Sequence, residues 1–287
     1  MTTAAVFDPR LCQLGEGPLW HPVREQLFWC DIAGRQLLTR DGETTAAWDF
    51  PGHVSAAGWI DRDTLLVASE TALHRFDIAS GASETVCPLE ADIPHTRSND
   101  GRADPFGGFW IGTMDKEQRP GLGAIYRYWR GELRQLFAPI SIPNAICFAP
   151  DGGHAFFADS GDGKVRRVAL DSDGWPAGEP ETFLDLAPEG LVPDGAVTDA
   201  AGNLWLAEWG AARVCRYGPD GARQMVIDVP AVQTTCPAFG GPDFGTLYTT
   251  SAAIALPEDE LRNRPDNGAT FVVEGMGPGI PEAQVIL

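Results

Sequence analysis

The chain is poor in most residues that carry chemistry. Its 287 residues include only 5 His, 4 Met and 4 Tyr, and 21 Lys and Arg face 40 Asp and Glu. With a formal charge of −19 and scattered bases, it lacks the basic footprint that nucleic acid or an anionic membrane surface requires. A neutral or cationic small molecule is the expected partner, with no nucleic acid, membrane or protein partner in view. No apolar run approaches the roughly 18 residues of a membrane span. The opening "MTTAAVFDPR" has neither the basic start nor the apolar core of a secretion signal, so the cytoplasm is the expected compartment.

Other motifs are missing too. The six cysteines (Cys12, Cys30, Cys87, Cys147, Cys215, Cys236) form no C-x-x-C pair, and three of them, Cys30, Cys147 and Cys215, lie in apolar runs. Buried free thiols are expected rather than disulfides. No G-x-S-x-G elbow is present, which argues against serine-hydrolase chemistry. No G-H…W-D pattern suggests a partner-binding propeller. The segments "DSGDGK" and "DSDGWP" break EF-hand spacing and read as hairpin turns. No Gly/Ser tract, charge block or composition shift marks a linker, so residues 1–287 are expected to form one domain.

What the chain does have is repetition. Short apolar runs begin at Leu27 ("LFWCDI"), Leu65 ("LLVASE"), Phe109 ("FWIGTM"), Ala155 ("AFFADS"), Leu204 ("LWLAEW") and Leu247 ("LYTTSA"), spaced by 38, 44, 46, 49 and 43 residues. Each follows a turn signal such as "APDGG" or "DAAGN", and most precede further strand-like runs. Helical periodicity is almost absent. Four short strands in a unit of 40 to 50 residues predict an all-β, six-bladed β-propeller with four-stranded antiparallel blades. The terminal runs "AAVF" and "AQVIL" are both candidates to complete the last blade.

The stretch "LGEGPLW" places Glu16 between two glycines and a proline, 11 residues before Leu27. Counting back 10 or 11 residues from the other runs reaches Asn99, Asn144 and Asp194; the remaining two repeats carry Val54/Ser55 there and Thr235/Cys236 at 12 and 11. In a propeller these entrances to the innermost strands surround the axis at one end. Carboxylate and carboxamide oxygens gathered there are hard donors suited to a divalent cation. The competing reading is that they cap turns. Antiparallel pairing puts the loop after "FWIGTM" at the same end, which makes Glu117 a candidate for the site. Asp31, Asp159 and Glu208 would give the mouth an acidic rim or bond loop amides. Arg97, beside Asn99, can offer its fork of donors to substrate oxygens or neutralise local acids.

The segments "LGEGPLW", "RSNDGRADPFGGFWIGTMDKE", "IPNAICFAPDGG" and "PDGAVTDAAGNLW" occur in the order of the senescence-marker-protein/gluconolactonase (regucalcin-like) family, and the chain resembles that family over nearly its whole length. The resemblance implies a six-bladed propeller with one divalent cation held by Glu16, Asn144 and Asp194, and substrate contacts from Arg97, Asn99 and Glu117. It also implies hydrolysis of a sugar lactone to the aldonic acid, for which Asp194 is the first choice of base. An oxygen-only site admits calcium, zinc, manganese, magnesium or ferrous iron. Two residues depart from the family pattern: Ala145 follows Asn144 where glycine is usual, and Ser98 replaces a bulkier residue. The alternatives are an aryl-ester or phosphotriester hydrolase on the same scaffold, or a non-catalytic regulator that binds calcium or a sugar acid.

Overall fold

Each apolar run becomes the second strand of a sheet: Gln26–Asp31, Thr64–Ser69, Phe109–Asp115, His154–Asp159, Leu204–Trp209 and Thr246–Ala252. The inner strands that precede them are Gly15–His21, Val54–Asp61, Thr96–Ala103, Pro143–Phe148, Val192–Thr198 and Gln233–Gly240; they define blades one to six. In this computed structural model, which describes residues 2–287, every inner strand packs on its neighbour, and blade six packs on blade one. The six sheets therefore close into a six-bladed β-propeller.

The runs are continuous rather than alternating because both faces of the sheet are covered. In blade one every residue of the first two strands is buried, whereas the outermost strand, Thr44–Asp49, lies largely open to solvent. Leu27 and Phe28 are fully buried, and each such side chain contributes about 1.5–3 kcal/mol. Trp110 and Trp205 repeat one buried position in blades three and five, each packing on the blade that follows.

The ring is closed by the N-terminal run. Ala5–Asp8 pairs antiparallel with Thr270–Val273 and becomes the outer strand of blade six. The "AQVIL" run forms no strand. Val285 instead buries itself beside Phe109, with its amide donating to the Trp59 carbonyl at 2.8 Å, and Glu282 pairs with the buried Arg102. Blade five differs from a four-stranded unit, because Thr2–Thr3 adds a short parallel strand to its edge.

All six cysteines are free and five are buried; burial pushes the Cys12 thiol up to about 12. The aspartate-rich segments are turns: Asp162 accepts the Lys164 amide, and Asp171 accepts those of Asp173 and Trp175. Among the described residues no helix is long and apolar enough to cross a membrane.

One irregularity positions the site. Every inner strand slips register near its start, between Glu16 and Leu19, Val54 and Ala56, Ser98 and Gly101, Asn144 and Cys147, Pro193 and Ala196, and Thr234 and Pro237. Such bulges bend a strand and re-aim a side chain out of the pleat. Here they recur at the end of the axis where the counted residues lie.

Candidate metal centre and substrate cavity

The local backbone explains why Glu16 is flanked by glycine. Gly17 adopts φ 54°, and a side chain there would collide with the Ser55 carbonyl of blade two. The Gly17 amide donates to Glu16 Oε2 at 2.9 Å, which holds the carboxylate in place. Ala145 occupies the matching position after Asn144, also at φ 54°; the left-handed geometry is kept without the residue that favours it.

Glu16, Asn99, Asn144 and Asp194 are all buried and line one cavity of about 620 Å³. Ser55 and Thr235, their counterparts in blades two and six, turn to neighbours instead: Ser55 Oγ donates to Ser98 Oγ at 2.8 Å, and Thr235 Oγ1 to the Gly15 carbonyl at 2.6 Å. The four entrances that carry a carboxylate or carboxamide are thus the four that face the axis.

Glu16 and Asp194 lie within hydrogen-bonding reach of each other. Burial, reinforced by the nearby Asp100, pushes Glu16 up to about 8. Burial and the charge of Glu16 raise Asp194 well above the usual carboxylate range. The pair therefore holds a proton that solvated acids would have lost. Two buried carboxyls facing each other, with the Asn144 carboxamide beside them, form a donor set that fits a hard or borderline divalent cation. A cation would balance the charge that the proton otherwise offsets. Among the described residues no three His, Cys, Asp or Glu side chains converge; the carboxamides complete the set.

Arg97 is the nearest base. Its Nη1 donates to the Ser98 carbonyl and to Asn99 Oδ1, both at 2.8 Å. Burial draws its basicity down to about 10, opposed by the charges of Glu16 and Asp194, so it stays charged at neutral pH. Asn99 in turn donates to the Pro143 carbonyl at 2.9 Å and to Asn144 Oδ1 at 3.0 Å.

Glu117 stands apart from this group. Its side chain is 81% exposed and does not line the cavity; Lys116 and Gln118, on either side of it, do. Asp115 ties the loop by accepting the amides of Glu117 and Arg119, and that turn sets which side chains face inward. The three other acids are structural. Asp31 accepts the amides of Gln13, Leu14 and Gly34, and Asp159 those of Ser141, Ile142 and Gly161. Glu208 bonds Arg213 and Tyr217.

Several residues at the site escaped the blade count. Asp100 is buried beneath the pair, accepts the Ile146 amide at 2.7 Å and is raised by burial to about 6. Ser160 Oγ accepts from Asn144 Nδ2 at 2.9 Å. Two residues before each counted position lies a second ring, Leu14, His53, Arg97, Ile142, Val192 and Gln233, and all six line the cavity. The same count shifted by two residues finds it. Gln233 is buried with its Oε1 unpartnered.

Fold and site together define a propeller that gathers oxygen donors at one end of its axis beneath a cavity large enough for a small molecule. Residues 14–253 match the model of the SMP-30/Gluconolactonase/LRE-like region, and the chain belongs to this family. It is 38% identical to an L-arabinolactonase of Azospirillum brasilense, over 94% of this chain and 91% of that protein. It is 34% identical to a 6-deoxy-6-sulfogluconolactonase of Pseudomonas putida, over 94% of each. Among solved structures, a calcium-binding protein, regucalcin, from Agrobacterium tumefaciens superposes with a TM-score of 0.96 at 38% identity, covering 100% of this chain and 99% of that one.

Proposed function

We propose that the protein is a sugar lactonase that uses one divalent cation, held by Glu16, Asn144 and Asp194, to hydrolyse an aldonolactone to the free aldonic acid. The observation that carries this reading is the buried Glu16–Asp194 pair, with the Asn144 carboxamide beside it, at the floor of a cavity whose wall offers Arg97 and Asn99. Relatives at 34% and 38% identity that are named as sugar lactonases support it.

A cation bound there would act as a Lewis acid, stabilising charge that develops on the lactone carbonyl oxygen. The chain's own residues do the rest. Arg97 presents its remaining guanidinium donors to substrate oxygens, and Asn99, fixed by Arg97 and Asn144, helps place the ring. Asp194 accepts a proton from the attacking water. Glu117, exposed beside the mouth, is at most a peripheral contact. Leu14, Ile142 and Val192 give the cavity an apolar wall.

The test is a matrix of metals against lactones on chelated protein, with calcium, zinc, manganese, magnesium and ferrous iron each offered with glucono-, galactono-, xylono- and arabinono-lactone. Turnover restored by at least one cation is expected. Full turnover after every divalent ion has been stripped removes the cation from the proposal. The likeness to a protein described as calcium-binding favours a second reading, a calcium-dependent binder of sugar acids; binding without turnover across the matrix is its signature.

A further inference from the structure

Histidine is scarce here, and one of the 5 lines the cavity. His53 takes blade two's place in the outer ring, where blades one, four and five carry Leu14, Ile142 and Val192. Its Nδ1 lies 2.6 Å from Glu70 Oε2, and Lys116 Nζ lies 3.3 Å from the same oxygen. Nε2 is the nitrogen that Glu70 does not hold, and the imidazole is 27% exposed.

Glu70 owes its position to a change in the blade. In blade one Asp31 ends the second strand and takes loop amides, and Ile32 follows at the mouth. In blade two Ser69 takes over that task, accepting the amides of Thr71 and Ala72, and a carboxylate follows where blade one has Ile32. Burial pushes Glu70 up, but the bonds from His53 and Lys116 outweigh it and hold the carboxyl below its usual range. Glu70 holds the His53 ring by its Nδ1 edge, which leaves Nε2 free to meet a bound molecule.

Blade two stands opposite blade five in the ring. His53 therefore faces Asp194 across the cavity, with Glu16 on one flanking blade and Arg97 and Asn99 on the other. A base and an acid on opposite sides of a bound ring are what lactone opening calls for.

We propose that His53 is the general acid of the reaction and that Glu70 is its positioning residue; this rests on the lactonase reading above. Water oxygen bonds to the carbonyl carbon while one water proton passes to Asp194. The bond between that carbon and the ring oxygen then breaks, the electron pair stays on the ring oxygen, and that oxygen takes the Nε2 proton of His53. The product is the open hydroxy acid. The proton on Asp194 returns to His53 through solvent, and no other reactant is needed.

The leaving group provides the test. With calcium or whichever cation supports turnover supplied, His53→Gln is expected to lower kcat on a sugar lactone by about 10²-fold or more, the usual reach of a general acid. The same variant is expected to lose less than about threefold on p-nitrophenyl acetate, whose nitrophenolate departs without a proton. Glu70→Gln is expected to show the same split between substrates, with a smaller loss. Imidazole added to His53→Ala is expected to restore lactone turnover. Equal losses on both substrates, an undiminished lactone rate or no rescue by imidazole each overturn the assignment. A wild-type enzyme that opens no lactone with any cation overturns the function itself and the acid with it; that failure appears before any substitution is made, so the two are distinguishable.

Discussion

Asn99 Nδ2 donates to Asn144 Oδ1 at 3.0 Å, across the boundary between blades three and four. The bond belongs to a longer line. Arg97 Nη1 donates to Asn99 Oδ1, Asn144 Nδ2 donates to Ser160 Oγ, and Ser160 Oγ donates to the Pro193 carbonyl beside Asp194. Each carboxamide is oriented at both ends, so the cavity-lining Arg97, Asn99 and Asn144 are held by one set of bonds.

Ser160 tests that line. Removing its hydroxyl frees Asn144 to turn. Ser160→Ala is expected to weaken divalent-cation affinity about 10-fold, at the low end for loss of a supporting bond to a ligand. Isothermal titration of chelated protein measures it, and an unchanged affinity would show that Asn144 needs no such support.

Asp194 tests the pair. Asp194→Asn is expected to reduce lactone hydrolysis by about 10³-fold, within the range for losing a general base. It should leave the chelated protein at least as stable as chelated wild type, because one of two facing buried carboxyls has been neutralised. Initial rates and a thermal melt check both halves.

The same burial makes stability depend on pH when no cation is bound. Glu16 is raised from 4.5 to about 8, Asp100 to about 6, and Asp194 well above its ordinary value. A raised acid pKa means that the folded chain holds protons the unfolded chain has lost. This contribution is fully present below the unfolded values and disappears as pH rises through about 6 and about 8. The melting temperature of chelated wild type should fall over that span more steeply than that of Glu16→Gln. Calcium affinity should rise over the same span as protons leave the ligands. Parallel melting curves for the two proteins would contradict the account.

Ala145 is one of the non-glycine residues held at positive φ, and the one that follows a candidate ligand. At φ 54° an L-residue loses about 1–2 kcal/mol. Glycine would relieve this but give up roughly 0.4–1 kcal/mol to the freer unfolded chain and about 0.8 kcal/mol for the lost buried methyl. Ala145→Gly should therefore stay within about 1 kcal/mol of wild type, while the branched Ala145→Val should lose more than about 2 kcal/mol. Denaturant melts distinguish these outcomes.

Arg97 and Glu117 should separate clearly. Arg97→Ala removes donors from the cavity wall and should lower kcat/KM by about 10²-fold, as expected for a lost charged contact. Glu117→Ala alters a side chain that is 81% exposed and should change kcat/KM by less than about threefold, a typical surface effect. A large loss at Glu117 would mean that the loop closes over substrate.

The blade spacing made Glu16, Asn99, Asn144 and Asp194 legible because strands of near-constant length carry equal counts to equal heights. Glu117 was harder to place. Which loop residue faces inward depends on how Asp115 ties the turn, and no strand period reports that. The choice between "AAVF" and "AQVIL" as the closing strand was equally hidden. Both are apolar, and the difference lies in tertiary partners: Thr270–Val273 accepts the first, and Phe109 shelters Val285 of the second. Ser160 and His53 bear no unusual local pattern. They emerge only when the blades are laid over one another.

Because Ala5–Asp8 completes the sheet begun at Gln233, blades one and five lack a common neighbour until the far end of the chain has been made and docked. Glu16 and Asp194 belong to those two blades, so a chain still under synthesis has no finished pocket in which to trap an ion. An ion captured there would report that assembly is complete and would work as a clasp against reopening of the seam.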